Sequence, residues 1–259
     1  MTFIISAAAK NIALQVADTR VTRAADGAIV NDLSIKTTVL HCKDAKLIIS
    51  FTGLASINGK KTDEWIKEKL VQFRAWEKVF QEIMDHLRDE ATNSLCHDKN
   101  LGKYGLEIVV IGLGYSPNGI RQPAIAMITN VSEPAKNQFQ FISPISRSFS
   151  RYILNPAKVR HYVGVSGAIG APKLAINGLR RKLEKQLRQL PEGADPKPVL
   201  NWLVAMLRLH RRGDPRLSQV IGSHCVAVAV MSNFTVVSGS YGPRGGKLLS
   251  PNVIRSPKL

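Results

Sequence analysis

The sequence lacks the features that mark secreted or membrane-spanning proteins. Among its 259 residues no apolar run approaches the roughly 18 residues of a membrane-spanning helix, and the N-terminus has no basic segment followed by an apolar run. Cysteine is also scarce. Cys42, Cys96 and Cys225 are odd in number and far apart, which favours a reducing compartment over a disulfide scaffold. These absences predict a cytoplasmic protein with no membrane partner.

The motifs of common metal and nucleotide sites are missing as well. Each cysteine has a histidine beside it, but adjacent strand residues point to opposite faces, and no CxxC or HxxxH spacing is present. Gly112-Leu-Gly114 is followed by Pro117 and Asn118 rather than by a helix, which argues against a dinucleotide-binding loop. The sequence therefore predicts neither a metal nor a cofactor.

Acidic residues are few: 19 Asp and Glu stand against 36 Lys and Arg, a net charge of +17. Residues 1–146 hold 17 basic and 15 acidic side chains, whereas residues 147–259 hold 19 and 4. A field of this sign attracts nucleic acid or an acidic protein partner, and Arg180-Arg181-Lys182 lies on the polar face of a predicted helix. A solvated surface without a partner explains the same residues.

Hydrophobic periodicity divides the chain into groups of strands and helices. Alternating or continuous apolar runs predict strands at 3–9, 12–17, 36–42, 47–51, 107–115, 122–131, 138–143, 160–165, 224–231 and 234–240. Apolar residues at every third or fourth position predict helices at 62–90, 176–190 and 200–207.

This order of elements predicts a four-layer αββα sandwich. It lacks the strand-helix alternation of a parallel doubly wound sheet. Two antiparallel sheets packed face to face, with helices on both outer faces, would bury all the apolar stripes at once. We expect residues 1–241 to form a single domain and the basic, Gly- and Pro-containing residues 242–259 to form a loop or flexible extension.

Thr2 is the first residue that can carry chemistry. Removal of Met1 would leave a threonine whose hydroxyl and α-amine share one carbon atom. The α-amine has an ordinary pKa of roughly 7.7–8, so a neutral fraction exists at physiological pH. This amine can act as the base for its own hydroxyl, directly or through water.

The surrounding motifs resemble the proteasome β-subunit family and its bacterial relatives. Ala17-Asp18-Thr19-Arg20 closes the second predicted strand, Lys36 opens the third, and Gly53 follows the fourth. The sixteen residues from Thr2 to Asp18 agree with the family's spacing. The order of strands and helices also agrees over nearly the whole chain.

The resemblance implies a hydrolase that cleaves peptide or other amide bonds through an acyl-enzyme on Thr2. Lys36 would favour the neutral amine and the developing alkoxide, and Asp18 would hold Lys36 in place. The Gly53 amide would face the oxyanion of the tetrahedral intermediate. The resemblance also implies a homo-oligomeric ring or stack.

Two serines complete the implied site. Ser166 occupies the place of a family serine near the threonine amine, with a valine before it where the family has glycine. Ser223 matches a second serine, but the family's aspartate three positions earlier is Val220 here, and His224 stands where glycine follows. The missing carboxylate would weaken or change the support of the amine, and Asp214 could compensate.

Two other functions fit parts of the sequence. Residues 164–168 (GVSGA) follow a strand and precede a helix, which is the context of an α/β-hydrolase nucleophile elbow, and an acid and a histidine follow in chain order at Asp195, Asp214, His210 and His224. The predicted antiparallel hairpins do not fit that fold. The main rival is an inactive protein of the same αββα fold that binds nucleic acid or an acidic protein through residues 147–259.

Overall fold

The apolar runs at the N-terminus form a hairpin in the middle of a sheet. The computed structural model describes residues 3–22, 29–31, 33–95, 105–116, 118–131, 145–155, 161–166, 173–213, 222–242 and 249–257. Its first two strands, Ile4–Ala9 and Ile12–Asp18, pair around the turn at Lys10-Asn11. Every residue of both strands is buried. Continuous apolar runs are typical of strands that are covered on both faces.

The described elements occur in groups along the chain. The strands are β1 (Ile4–Ala9), β2 (Ile12–Asp18), β3 (Val21–Thr22), β4 (Ile29–Asn31), β5 (Thr37–His41), β6 (Ala45–Gly53), β7 (Ser56–Ile57), β8 (Lys60–Lys61), β9 (Leu106–Tyr115), β10 (Arg121–Val131), β11 (Ile145–Ile153), β12 (His161–Ser166), β13 (Cys225–Met231), β14 (Val236–Tyr241) and β15 (Asn252–Ile254). The helices are α1 (Thr62–Gln72), α2 (Phe80–Leu95), α3 (Lys173–Gln189) and α4 (Lys197–Gly213), with a 3-10 turn at Ala75–Glu77. Within the described part of the chain, no helix has the length and apolar character needed to cross a bilayer.

The long strands form two sheets. The first sheet has the order β12-β1-β2-β13-β14, and its neighbouring strands are antiparallel. The second sheet has the order β11-β10-β9-β6-β5-β15 and is antiparallel up to its edge, where β15 runs parallel to β5. This topology is not that of a parallel doubly wound sheet.

Buried apolar layers hold the sheets and helices together. Alternate residues of both sheets, such as Val228 and Ile111, meet between the sheets. Helices α3 and α4 cover the outer face of the first sheet through residues such as Leu183 and Leu203. Helices α1 and α2 cover the outer face of the second sheet through residues such as Leu87. The predicted four-layer αββα sandwich is therefore confirmed.

A buried chain of polar side chains crosses the inter-sheet layer. Gln15 Nε2 donates to Ser6 Oγ at 3.0 Å, and Ser50 Oγ donates to Gln15 Oε1 at 2.6 Å. The hydroxyls of Ser50 and Thr37 are 3.0 Å apart. Buried polar groups of this kind are stable only when they are hydrogen-bonded. These hydrogen bonds therefore link β1 and β2 of one sheet to β5 and β6 of the other.

Residues 62–90 form two helices where the periodicity predicts one. Helix α1 ends at Gln72, Arg74 adopts a left-handed φ of 53°, and the 3-10 turn leads into α2. Phe73 stacks on His86 with ring centroids 3.9 Å apart, so the helices fold back on one another. Neither glycine nor proline, the usual signals of a break, is present at this turn.

Strands β11 and β15 differ from the prediction. The strand predicted at 138–143 lies outside the described residues, and β11 at Ile145–Ile153 was not predicted because polar residues dominate its sequence. Part of the C-terminal segment predicted as loop is strand β15, with Leu249 and Ile254 buried against the sheets. That part of the prediction is wrong, because short apolar stretches carry no periodic signal.

Candidate active site

The described candidate residues lie at one end of the sandwich. Asp18 ends β2, Gly53 ends β6 and Ser166 ends β12, while Lys36 directly precedes β5 and Ser223 precedes β13. Neighbouring antiparallel strands run in opposite directions, so the ends of some strands and the starts of others meet at the same edge. This edge is also where β1 begins.

Asp18 and Lys36 form a buried ion pair. Lys36 Nζ lies 3.3 Å from Asp18 Oδ1, and the two side chains are 2% and 0% exposed, respectively. Lys36 Nζ also donates to the carbonyl oxygen of Arg20. The Gly222 amide donates to Asp18 Oδ2 at 3.2 Å. Each carboxylate oxygen therefore has a partner, which a buried charge requires.

The environment of Asp18 opposes ionisation on balance. Burial raises the pKa of its carboxyl group above the ordinary 3.8, whereas the Lys36 ammonium and the Gly222 amide lower it. A buried carboxylate is stable at this position only beside its cation. The ion pair consequently places a positive charge at the edge where the first strand begins.

Phe3 connects the ion pair to the N-terminus. Its side chain is buried, and its carbonyl oxygen accepts a hydrogen bond from the Asp18 amide at 3.2 Å. Thr2 lies outside the described residues, as do Val220 and Asp214. The described site therefore extends to the residue that follows Thr2 in the chain.

Ser223 belongs to a segment that is tied to the end of β2. It follows Gly222, whose amide holds Asp18. The carbonyl oxygen of His224 accepts from both the amide and the hydroxyl of Thr19, each at 3.2 Å. The Ser223 hydroxyl lies 3.2 Å from His224 Nδ1. The segment thus adjoins the ion pair, while the Ser223 side chain bonds to the neighbouring imidazole.

Ser166 lies across β1 from the ion pair. It is paired with Ile4, whose other neighbour is Ala17, so Ser166 and Ala17 stand two strands or roughly 10 Å apart. The Ser166 side chain bonds to Glu107, at the start of β9 in the second sheet. This contact joins the two sheets at the candidate site.

Gly53 has a backbone conformation that favours glycine. Its φ is 101°, and a Cβ at this position would overlap the carbonyl oxygen of Gly105. It pairs with Leu106 at the start of β9 and is exposed, unlike the residues before it in β6. The turn therefore ends β6 at the same end of the sandwich as Asp18 and Ser166.

Sequence reasoning missed Glu107. It pairs with Thr52 on β6 and with Thr129 on β10, so three polar side chains form a row across the second sheet. Burial raises the pKa of the Glu107 carboxyl group, and the hydrogen bond from Ser166 lowers it. A single acid ahead of an apolar strand carries no sequence signal, because its partners are distant in the chain.

Glu107 makes the stability of the protein depend on pH. Because its pKa in the folded protein is raised above the ordinary 4.5, the folded state holds the proton more tightly than the unfolded chain. The free energy of unfolding then falls as pH rises from the ordinary pKa of the carboxyl group to its raised pKa in the folded protein. We expect the difference in unfolding free energy between Glu107→Gln and wild type to shift in favour of the variant as pH rises.

Urea unfolding over a pH series measures this difference. Glu64→Gln is the matched control, because the Glu64 side chain is 55% exposed. Parallel pH curves for wild type and Glu107→Gln would show that burial does not raise this pKa.

The nucleophile-elbow alternative does not fit the sheet. Ser166 ends an antiparallel edge strand, whereas the elbow belongs to a parallel βα unit. The Asp195 carboxylate accepts from the amide of Lys197 at 3.1 Å, at the start of α4. Asp214 and the side chain of His210 lie outside the described residues. The described residues assemble no serine, histidine and acid in the order that the elbow requires.

Strand packing accounts for the Gly112-Leu-Gly114 motif. Both glycines lie inside β9. A Cβ on Gly112 would overlap the carbonyl oxygen of Lys46 on β6. The motif therefore permits a close approach of two strands.

Solved structures of Anbu are among those that match this chain. An Anbu (Gly-1) mutant from Hyphomicrobium sp. strain MC1 has a TM-score of 0.52 and 13% identity, covering 94% of this chain and 88% of its own. Anbu (ancestral beta-subunit) from Yersinia bercovieri has a TM-score of 0.51 and 9% identity, covering 91% of this chain and 86% of its own. The helical assembly of the Anbu complex from Pseudomonas aeruginosa has a TM-score of 0.51 and 12% identity, covering 93% of this chain and 87% of its own. This chain shares their fold. No protein-family model and no curated protein matches the sequence.

These matches correct the family inferred from the motifs. The motifs resemble the proteasome β-subunits, whereas the matching structures above are of Anbu, and no family model supports membership of the β-subunit family. That assignment is wrong. At identities of 9% to 13% the likeness shows the fold alone, which is the four-layer αββα sandwich.

Proposed function

We propose that the protein is a threonine-type N-terminal nucleophile hydrolase that cleaves peptide or other amide bonds. The observation that carries the proposal is the buried ion pair of Lys36 and Asp18 at the edge where β1 begins. A cation buried beside the start of a strand stabilises the negative charge that develops when a nucleophile at that position loses its proton. Thr2 precedes Phe3, whose carbonyl oxygen binds the Asp18 amide.

The proposed reaction begins once Met1 has been removed. The α-amine of Thr2 takes the proton of its hydroxyl, and the oxygen attacks the substrate carbonyl carbon. Lys36 stabilises the developing negative charge on that oxygen, and the Gly53 amide donates to the oxyanion. Collapse of the tetrahedral intermediate breaks the amide bond: the leaving nitrogen takes the proton from the α-amine and departs as an amine, and the acyl group stays on Thr2. Water then hydrolyses this acyl group and restores the free threonine.

The remaining site residues act on this geometry. Asp18 holds the Lys36 ammonium group in place. Ser166 and Ser223 are proposed as polar neighbours of the threonine amine. The Gly222 amide donates a hydrogen bond to Asp18, which keeps the carboxylate oriented toward Lys36.

The assembly and the domain division are also proposals. The Pseudomonas aeruginosa structure is titled a helical assembly of the Anbu complex, and we propose a homo-oligomer, a ring or a stack, for this chain. We further propose that residues 1–241 are the hydrolase domain and residues 242–259 a basic extension, which β15 ties to the edge of the second sheet. We place the protein in the cytoplasm.

Hydrolysis of a panel of fluorogenic peptides and small amides tests the proposed function. Thr2→Ala removes the nucleophile, and we expect a loss of about a thousandfold or more in kcat/KM. Thr2→Ser is the matched control because it keeps both the hydroxyl and the amine. Equal activity of Thr2→Ala and wild type would assign the hydrolysis to another residue.

A second candidate function rests on the basic helix α3. Its exposed basic side chains form one surface on the outer layer of the first sheet: Arg180, Arg181, Lys182, Lys185 and Arg188. We expect binding to a fluorescent DNA duplex to weaken steeply with salt and to be lost in Arg181→Glu/Lys185→Glu, if this surface binds nucleic acid. Lys61→Glu/Lys67→Glu, on the opposite outer layer, is the matched control. Equal binding by both variants would exclude this surface.

A further inference from the structure

Glu107 is a buried acidic residue in the layer between the sheets. Val109 and Ile111, at alternate positions of the same strand, pack toward the first sheet, so Glu107 faces the first sheet too. The strand register places Thr52 and Thr129 directly beside it on either side. Glu107 is therefore a carboxylate that faces the first sheet from the centre of a polar row.

Ser166 meets Glu107 from the first sheet. Its partner in the sheet, Ile4, packs against Val109, which shows that the two sheets are in contact at this point. The Ser166 hydroxyl donates to the Glu107 carboxylate. Tyr162 stands on the same face of β12 as Ser166, and its ring covers the intervening Gly164.

The other described carboxylate at this edge is already engaged. Asp18 is bonded to Lys36 and to the Gly222 amide. Glu107 lies on the far side of β1 from that ion pair, because Ser166 and Ala17 flank Ile4. The start of β1 thus lies between a buried cation on one side and a carboxylate bonded to a serine on the other.

We propose that Glu107 is a positioning residue that acts through Ser166 on the α-amine of Thr2. This inference rests on the proposed function. Because the Ser166 hydroxyl donates its hydrogen bond to the Glu107 carboxylate, the serine oxygen is oriented to accept a hydrogen bond from the amine. The negative charge stabilises the amine when it carries the extra proton, and so strengthens it as the base for the threonine hydroxyl. The Lys36 ammonium group has the opposite effect, because its positive charge lowers the proton affinity of the amine.

The proton affinity of the Thr2 amine tests this link without any substrate. The protein is made as a fusion whose cleavage exposes Thr2, and the pKa of the amine is measured from the pH dependence of its acetylation, read by mass spectrometry of the N-terminal peptide. We expect Glu107→Gln to lower this pKa by about one unit. Glu107→Asp, which keeps the charge, should retain the wild-type value.

Two further variants separate a specific effect from a general one. Ser166→Ala should lower the amine pKa as Glu107→Gln does, and the double variant should lower it no further, because both break the same link. Glu192→Gln removes a carboxylate that is 62% exposed and bonded to Arg121, and should leave the amine unchanged. An unchanged pKa in Glu107→Gln, with Glu107→Asp folded, overturns the inference.

The reaction of the same wild-type protein with an electrophile that acylates N-terminal threonines tests the proposed function separately. If wild type forms the adduct and Glu107→Gln leaves the amine pKa unchanged, the function stands and the role of Glu107 is rejected. If wild type forms no adduct but Glu107→Gln lowers the pKa, the electrostatic link stands and the hydrolase function is rejected.

Discussion

Lys36→Met lowers the free energy of unfolding by about 3–5 kcal/mol, because the Asp18 carboxylate then stays buried without its cation. Neither side chain is accessible to water, at 2% and 0% exposed, so solvent cannot replace the ammonium group. Burial already raises the pKa of Asp18, and loss of Lys36 removes an opposing cause. The folded variant therefore binds the proton more tightly than wild type, and its deficit in stability grows as pH rises above the pKa of Asp18 in the folded wild type.

Urea unfolding of the matched variant Lys61→Met checks the reason for this effect. Lys61 and Glu64 form a pair at 3.6 Å with side chains 66% and 55% exposed, so we expect little change in stability. The double variant Asp18→Asn/Lys36→Met should lose less than the sum of its single changes. A Lys36→Met variant as stable as Lys61→Met, or with no dependence on pH, contradicts a charged and buried pair.

Gly53→Ala is expected to destabilise the protein by about 3 kcal/mol or more and to abolish reaction at Thr2. A left-handed φ alone costs a residue with a Cβ about 1–2 kcal/mol, and here the new atom would also overlap the Gly105 carbonyl oxygen. The turn after β6 must then move, and with it the amide proposed to face the oxyanion.

Gly59→Ala is the matched control for the strain of this turn. Gly59 also has a positive φ, 79°, but an added Cβ meets nothing within 4 Å. Thermal unfolding should show only the smaller cost at Gly59, and reaction with an electrophile at Thr2 should remain. Equal losses of stability in the two variants would mean that the contact with Gly105 is relieved by a small shift of the backbone.

Strand patterns predict most of the fold because burial on two faces leaves long apolar runs. The N-terminal hairpin, the strands of residues 107–115 and 122–131 and the last hairpin all follow from such runs. The break at Arg74 could not be predicted, because its left-handed conformation depends on packing of Phe73 against His86 rather than on glycine or proline. Strand β15 is too short to show a period.

The candidate site could also be predicted only in part from the sequence. The sequence predicts Asp18 and Lys36 as site residues because their positions at the ends of strands resemble a known motif, and the two side chains are in contact in the structure. Glu107 was missed, because its importance depends on Ser166, a residue 59 positions later in the chain that lies on the facing sheet. Such contacts between sheets leave no local pattern in a single sequence.

Intact-protein mass spectrometry of the purified full chain, before and after exposure to an electrophile that acylates N-terminal threonines, tests the central claim most directly. The account predicts a mass without Met1 and a single adduct that is absent from Thr2→Ala. A chain that retains Met1, or a processed chain that forms no adduct, would contradict it and leave an αββα scaffold without an activated nucleophile.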